Sequence, residues 1–221
     1  MSRLHPRRLL LLTVGMLIMA LGIALSIRSD LGTTTISSLP YVLSLITPMT
    51  LGTATILVNL GLVTLQVAIL RRRFRLFQLL QLPILVIFGL FNDLALWATD
   101  WISHDAYWQQ WLLVLAGIGL LGVGICFQIA ADTVMLPGEA TVLTISRELS
   151  RRFGDRTLFV FGYIKIMLDL TLVSSALILA LTFLGGFIGV REGTLAAAFL
   201  IGATVKRLQP HLGPVLVRFR G

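Results

Sequence analysis

DLGTTTISSLP at residues 30–40 and DTVMLPGEAT at residues 132–141 are two polar interruptions in a chain that otherwise reads largely as hydrocarbon. Each follows a long uncharged run, opens on an aspartate and contains a glycine, a threonine and a proline. The apolar pieces that follow, Tyr41 to Ile46 with Pro48 and Val142 to Leu149, are too short to cross about 30 Å of bilayer. Asp30 and Asp132 therefore end the preceding helices. The hydroxyl-rich stretch Thr33 to Ser38, like Thr141 and Thr144, is suited to cap a short following helix. Such helices either dip into the membrane from opposite faces, with their N-termini lining a polar cavity, or lie flat on the two surfaces. Re-entry is the expectation for the first. For the second both readings stand, because Ser146-Arg-Glu-Leu-Ser-Arg-Arg152 also suits a surface.

Working outward, the 221 residues are 57% hydrophobic and only 13% charged, against about 25% charged in soluble domains. No charge falls between Arg8 and Arg28, between Asp30 and Arg71, or between Asp105 and Asp132. This pattern excludes a soluble enzyme, a secreted disulfide scaffold and a disordered tail. The single cysteine, Cys126, lies in an apolar run, so neither an intrachain disulfide nor a cysteine metal site is expected.

The net charge of +8 is clustered. Arg3, Arg7 and Arg8; Arg71, Arg72, Arg73 and Arg75; Arg147, Arg151, Arg152 and Arg156; and Lys206, Arg207, Arg218 and Arg220 each abut an apolar span. They read as cytoplasmic topology determinants beside anionic headgroups, and not as a nucleic-acid groove. Six transmembrane helices satisfy this placement, at about 9–27, 51–70, 76–98, 110–131, 157–183 and 187–205, with both termini in the cytoplasm. The last is short, with thirteen uncharged residues from Gly193 to Val205. Trp97, Trp101, Trp108, Trp111 and Tyr107 form an outer aromatic belt, and His104 is read as an exposed loop histidine. The first span is too long for a signal-peptide core and is read as uncleaved.

Laid on itself at an offset of 102, the chain brings Gly15 onto Gly117, Gly22 onto Gly124, Asp30 onto Asp132, Gly52 onto Gly154, Thr55 onto Thr157 and Val58 onto Val160. Three crossings per unit make the second unit inverted. The expected fold is an all-α polytopic membrane protein of two inverted three-helix repeats, residues 1–105 and 106–221, each with a short broken or re-entrant segment and the second ending in a cytoplasmic tail.

The residues that carry this plan are Gly22 to Ile27, the break at Arg28-Ser-Asp30-Leu-Gly32-Thr-Thr34, Gly52-Thr-Ala-Thr55, and the near-repeat from Gly122 to Pro137-Gly138. With them the chain resembles the YczE/YyaS/YitT-type integral membrane proteins of bacteria over nearly its whole length. The resemblance implies a multi-pass protein of the bacterial inner membrane and carries no substrate class.

Ionisable groups within spans are functional candidates. Lys165 and Asp169 share one face of the fifth span at i, i+4 and are read either as a self-neutralised structural pair or as a pair opened by substrate or proton. Asn92 and Asp93 lie toward the outer end of the third span, where Arg28 or Arg191 is the expected partner of Asp93. The two interruptions add Asp30, Thr33, Thr34, Ser37, Asp132, Glu139 and Thr141 as binding candidates. Asn59, Gln66 and Gln128 are read as interhelical hydrogen bonds, and Gly15, Gly22, Gly117, Gly119, Gly122 and Gly124 as packing positions.

No HExxH helix, P-loop or G-x-S-x-G elbow is present, so no enzyme, cofactor or metal is expected. A headgroup enzyme would need Arg28, Asp30, Arg191 and Glu192 to meet at the outer face. The leading expectation is a small-solute secondary transporter with a midplane site. Alternatives are a channel of two opposed half-helices and a membrane scaffold or regulatory subunit. Expected partners are the lipid bilayer, a small molecule or ion, and a second copy of the chain.

Overall fold

The computed structural model describes residues 5–74, 76–154 and 161–220. Among them are α-helices and connections and no strand, in the order α1 (Pro6–Arg28), α2 (Thr35–Ile46), α3 (Leu51–Leu70), α4 (Gln81–Ala98), α5 (Tyr107–Ala131), α6 (Pro137–Phe153), α7 (Phe161–Leu179) and α8 (Glu192–Arg220). Five segments are long and apolar enough to cross a membrane: Pro6–Arg28, Leu51–Arg73, Gln78–Ala98, Tyr107–Ala131 and Phe161–Leu184. They coincide with the first five expected spans. Thr157 and Val160 at the expected start of the fifth, like Arg3, Arg75 and Arg156, lie outside the described residues.

The expected sixth span is not among these five. Residues 185–191 are not helical, and α8 begins only at Glu192, so its uncharged stretch falls short of a full crossing. The stretch beyond Val205 is helical, because α8 continues to Arg220. There the Arg220 guanidinium donates to the Ala130 carbonyl at 3.2 Å and pairs with Asp132 at 3.2 Å.

Both breaks form as the aspartates suggest. Asp30 and Asp132 take left-handed backbone, φ 57° and 47°, which a short polar side chain tolerates better than a bulky one. Each short helix then starts afresh, α6 with Pro137 in its first turn, where a missing N–H costs nothing. The expected hydroxyl caps are not made. Thr34 and Leu136 occupy the N-cap positions, and neither side chain accepts a capping bond.

Burying apolar surface against protein instead of lipid gains little, so helices in a bilayer associate through close packing. Glycine supplies that packing between α1 and α5. A Cβ on Gly15 would stand 2.9 Å from the Gly124 carbonyl oxygen, and one on Gly22 2.7 Å from that of Gly117. The ascending number on one helix meets the descending number on the other, so α1 and α5 run antiparallel. Around this seam α4 packs on α1 and α8 on α5; α2 packs on α3 and α7, and α6 likewise on α3 and α7. Gly119 departs from the expectation, since nothing lies within 4 Å of its Cβ position.

The 102-residue register holds through the breaks, with α2 starting at Thr35 and α6 at Pro137. It fails at the next pair. Helix α6 has 17 residues against 12 in α2, so Gly154 ends α6 at φ 76° while Gly52 lies in the first turn of α3.

Candidate functional site between the short helices

The N-terminal turns of α2 and α6 meet. The tip of the Ile36 side chain of α2 occupies the space that a Cβ on Gly138 of α6 would need, so glycine lets the two turns approach without moving it. These residues are themselves 102 apart. Within α2, Pro40 has no N–H to donate to the Ile36 carbonyl, leaving that oxygen without its helical donor.

Polar groups without a protein partner are found in both interruptions and on α1, α4 and α8. The Thr33 and Thr34 hydroxyls are buried and unpaired, as are the Thr194 hydroxyl of α8 and both amide atoms of Asn92 on α4. The hydroxyls of Ser26 and Thr133 are also covered and unpaired. Buried polar atoms are ordinarily satisfied, so this set is unusual. Gly32, at φ 98°, brings Thr194 close, since its Cβ position is 2.5 Å from the Thr194 hydroxyl oxygen. Thr194 and Ser26 were missed by the sequence reading; the repeat register offered a signal for the first, because Thr194 is 102 residues from Asn92. Ser37 is buried in the first turn of α2.

Glu139, in the first turn of α6, has a fully covered Oε2 with no donor. The charges of Lys165 and Asp169 on α7 both act on it, with opposite signs. Those two form the expected ion pair, Lys165 Nζ donating to the Asp169 carboxylate oxygens at 2.6 and 2.8 Å, with side chains 30% and 20% exposed. A covered carboxylate oxygen beside one cation and one further anion is a place for a proton or a cationic group.

The other candidates all have protein partners. Asp93 meets neither Arg28 nor Arg191. It accepts the Gly52 N–H at 2.6 Å and the Thr50 hydroxyl at 2.7 Å, satisfying the N-terminus of α3. Thr141 lies 2.7 Å from the Pro137 carbonyl and accepts from Gln66 Nε2 at 3.0 Å, within a buried knot that includes Gln81. Asn59 bonds to the Thr55 carbonyl of its own helix, so it is not the interhelical tie expected. Asp30 and Asp132 turn exposed carboxylates outward, the first 3.2 Å from His104 Nε2, the second 3.4 Å from Arg8. His104 is thus largely covered and engaged, not a free loop histidine.

The four groups proposed to meet at the outer face do so only partly. Arg191 donates to the Asp30 carbonyl at 3.0 Å and pairs with Glu192 at 3.2 Å, whereas Arg28 turns away to Asp100 at 2.7 Å and the Leu96 carbonyl at 2.8 Å. A cavity of about 270 Å³ beside Asp30, Gly32, Tyr41, Gly189 and Arg191 opens toward the first break. Among the described residues no group of three or more His, Cys, Asp or Glu side chains is placed to hold a metal.

No curated protein and no solved structure matches the chain. A family model described as a family of unknown function (DUF6198) matches residues 6–210, and the chain belongs to that family.

Proposed function

We propose that the chain is a secondary transporter of a small polar solute, built from two inverted repeats, with its site where α2 and α6 meet. The observation that carries this reading is the meeting of two short-helix N-termini, Ile36 against Gly138, with unpaired Thr33, Thr34 and Glu139 in the adjoining turns. Helix N-termini favour negative groups and offer free N–H donors, while hydroxyls and a carboxyl add adjustable contacts. Inversion is supported by the antiparallel α1–α5 seam. It is supported too by the packing pairs, since exchanging the halves turns α1–α4 into α5–α8 and α2–α7 into α6–α3. In this reading α8 completes the second repeat as a sixth crossing, with its charged end docked at Asp132. Glu139 carries the coupling proton, and Lys165–Asp169 adjusts to its charge. The resemblance to YczE/YyaS/YitT-type proteins agrees with an inner-membrane location.

A thermal-shift screen of the purified protein against small anions, amines and amino acids identifies a stabilising solute. Counterflow of that solute in proteoliposomes then tests the mechanism. Trans-stimulated exchange that disappears in Glu139→Gln is the expected result. Flux without trans-stimulation favours a channel, whose constriction the same opposed helices would form, and no flux of any solute favours a scaffold. Reporter fusions at Arg73 and Ser150 should read cytoplasmic and one at His104 external; any reversal breaks the inverted topology.

A further inference from the structure

At the far end of α3 the chain makes a second feature that the transport reading does not use. Arg71, Arg72 and Arg73 form one tight turn directly after the apolar α3, and Arg71 closes that helix with φ 48°. The last turn of α6 brings Arg151 and Arg152 beside it. Together with Ile69, Leu70 and Glu148 these five arginines line a cavity of about 340 Å³. That is near the lower bound of the ~300–1,000 Å³ usual for ligand pockets.

The single carboxylate in the cavity is already taken. Glu148 Oε1 and Oε2 accept from Arg152 Nε at 2.8 Å and Arg151 Nε at 2.9 Å, and Arg73 of the other element stands 3.8 Å away. These contacts hold its carboxyl down at about 2. Glu148 therefore competes for Arg151 and Arg152, while Arg71 and Arg72 have no anionic partner among the described residues. Guanidinium groups bind phosphate through paired N–H donors, so convergent arginines with one internal acid favour a multivalent oxyanion over a lone carboxylate. The position, where the apolar span gives way to charge, is headgroup level.

We infer that this arginine-lined cavity between the end of α3 and the end of α6 is a binding site for a phosphate group at the membrane border. The same chemistry is offered by an anionic phospholipid headgroup and by free phosphate.

The test uses the full chain in nanodiscs of phosphatidylcholine alone or mixed with phosphatidylglycerol, with lipid retained by the protein read by native mass spectrometry. A parallel titration of inorganic phosphate in the phosphatidylcholine discs is read by thermal stability. Enrichment of phosphatidylglycerol identifies a lipid headgroup; stabilisation by inorganic phosphate identifies the free ion; neither effect overturns the inference. Arg71→Gln/Arg72→Gln should lower the response about tenfold, the scale of losing charge-assisted contacts. Lys206→Gln/Arg207→Gln removes the same charge elsewhere and should leave it unchanged. Glu148→Gln should strengthen binding, because it frees Arg151 and Arg152, and this variant keeps the test valid if the double arginine variant folds poorly. Equal losses in the two double variants, or weakened binding in Glu148→Gln, would overturn the proposal.

Discussion

The α1–α5 seam and the meeting point of α2 and α6 use the same 102-residue register and opposite materials. Gly15, Gly22, Gly117 and Gly124 face one another among buried Leu12, Met16, Ala20 and Ile23. At the short helices, Gly138 meets only the tip of the Ile36 side chain, and in the adjoining turns the Thr33 and Thr34 hydroxyls and the Glu139 Oε2 have no partner. A seam of backbone against backbone leaves little freedom to slide, because any displacement drives carbonyls into neighbouring turns. Two short helices that touch through one side-chain tip, with polar groups unsatisfied beside it, are held less tightly. In the transport reading proposed above, the long pair is the rigid axis and the short pair the site.

The comparison breaks most forcefully at the seam. Gly22→Leu or Gly117→Leu should cost about 3 kcal/mol or more, the upper part of the overpacking range, since a Cβ alone already stands 2.7 Å from a carbonyl oxygen. Gly119→Leu, with open space before it, should leave the melting temperature of the detergent-purified protein unchanged. Equal tolerance at Gly22 and Gly119 would remove the rigid axis. At the short helices the sign should reverse. Glu139→Gln should reduce solute exchange on the order of tenfold, equivalent to about 1.4 kcal/mol, while stability stays level or rises. The reason is that an amide costs less than a covered, donorless carboxylate. A variant that unfolds the protein instead would make Glu139 a structural residue.

The Lys165–Asp169 pair stands between these extremes and sharpens the distinction. Because both side chains keep some exposure, 30% and 20%, Lys165→Met alone should destabilise by roughly 1–2 kcal/mol, less than a fully buried pair would lose. Lys165→Met/Asp169→Leu should recover most of that stability in a thermal melt. If the double variant regains stability and still lacks exchange, the pair belongs to the mechanism; if exchange returns with stability, it is only a tie within α7.

What could be read beforehand follows from how local the cause is. Spans, breaks and the glycine seam were legible because each depends on a run of one residue type or on a single conformationally special residue such as Asp30 or Asp132. The charge gap also located Lys165 and Asp169, whose i, i+4 spacing is enough to pair them. Asp93 was misassigned because its charge suggested a cation, whereas the free N–H groups at the start of α3, reached only once α3 and α4 pack, satisfy it equally well. The sixth span was the least legible, because only thirteen uncharged residues lie between Glu192 and Lys206 and α8 starts at Glu192. Thr194 carried no charge to mark it; its burial comes from Gly32, far away in the chain.

The capping role of Asp93 makes a smaller prediction. Asp93→Ala removes the acceptor for the Gly52 N–H and should lower stability by about 1 kcal/mol, the usual loss for a helix cap. Asp93→Asn keeps an acceptor oxygen and should lose less. A strong effect on exchange with none on stability would return Asp93 to the site.

The smallest effect lies at the arginine turn and is read through acid. Glu148 titrates at about 2 in the folded protein against an ordinary 4.5, because Arg151 and Arg152 hydrogen-bond its carboxylate. A lowered carboxyl value means that its contribution is complete above pH 4.5 and is lost as pH falls toward 2. Its contacts with Arg73 join the end of α3 to α6, so acid should loosen that corner and leave untouched the glycine seam, whose helices α1 and α5 contain no Asp or Glu. Hydrogen exchange of the arginine turn across this pH range should rise in the wild type and be already raised and flat in Glu148→Gln. A parallel rise along the middle of α1 and α5 would show that seam and periphery are not independent, because acid at carboxyls outside the seam would then be loosening it.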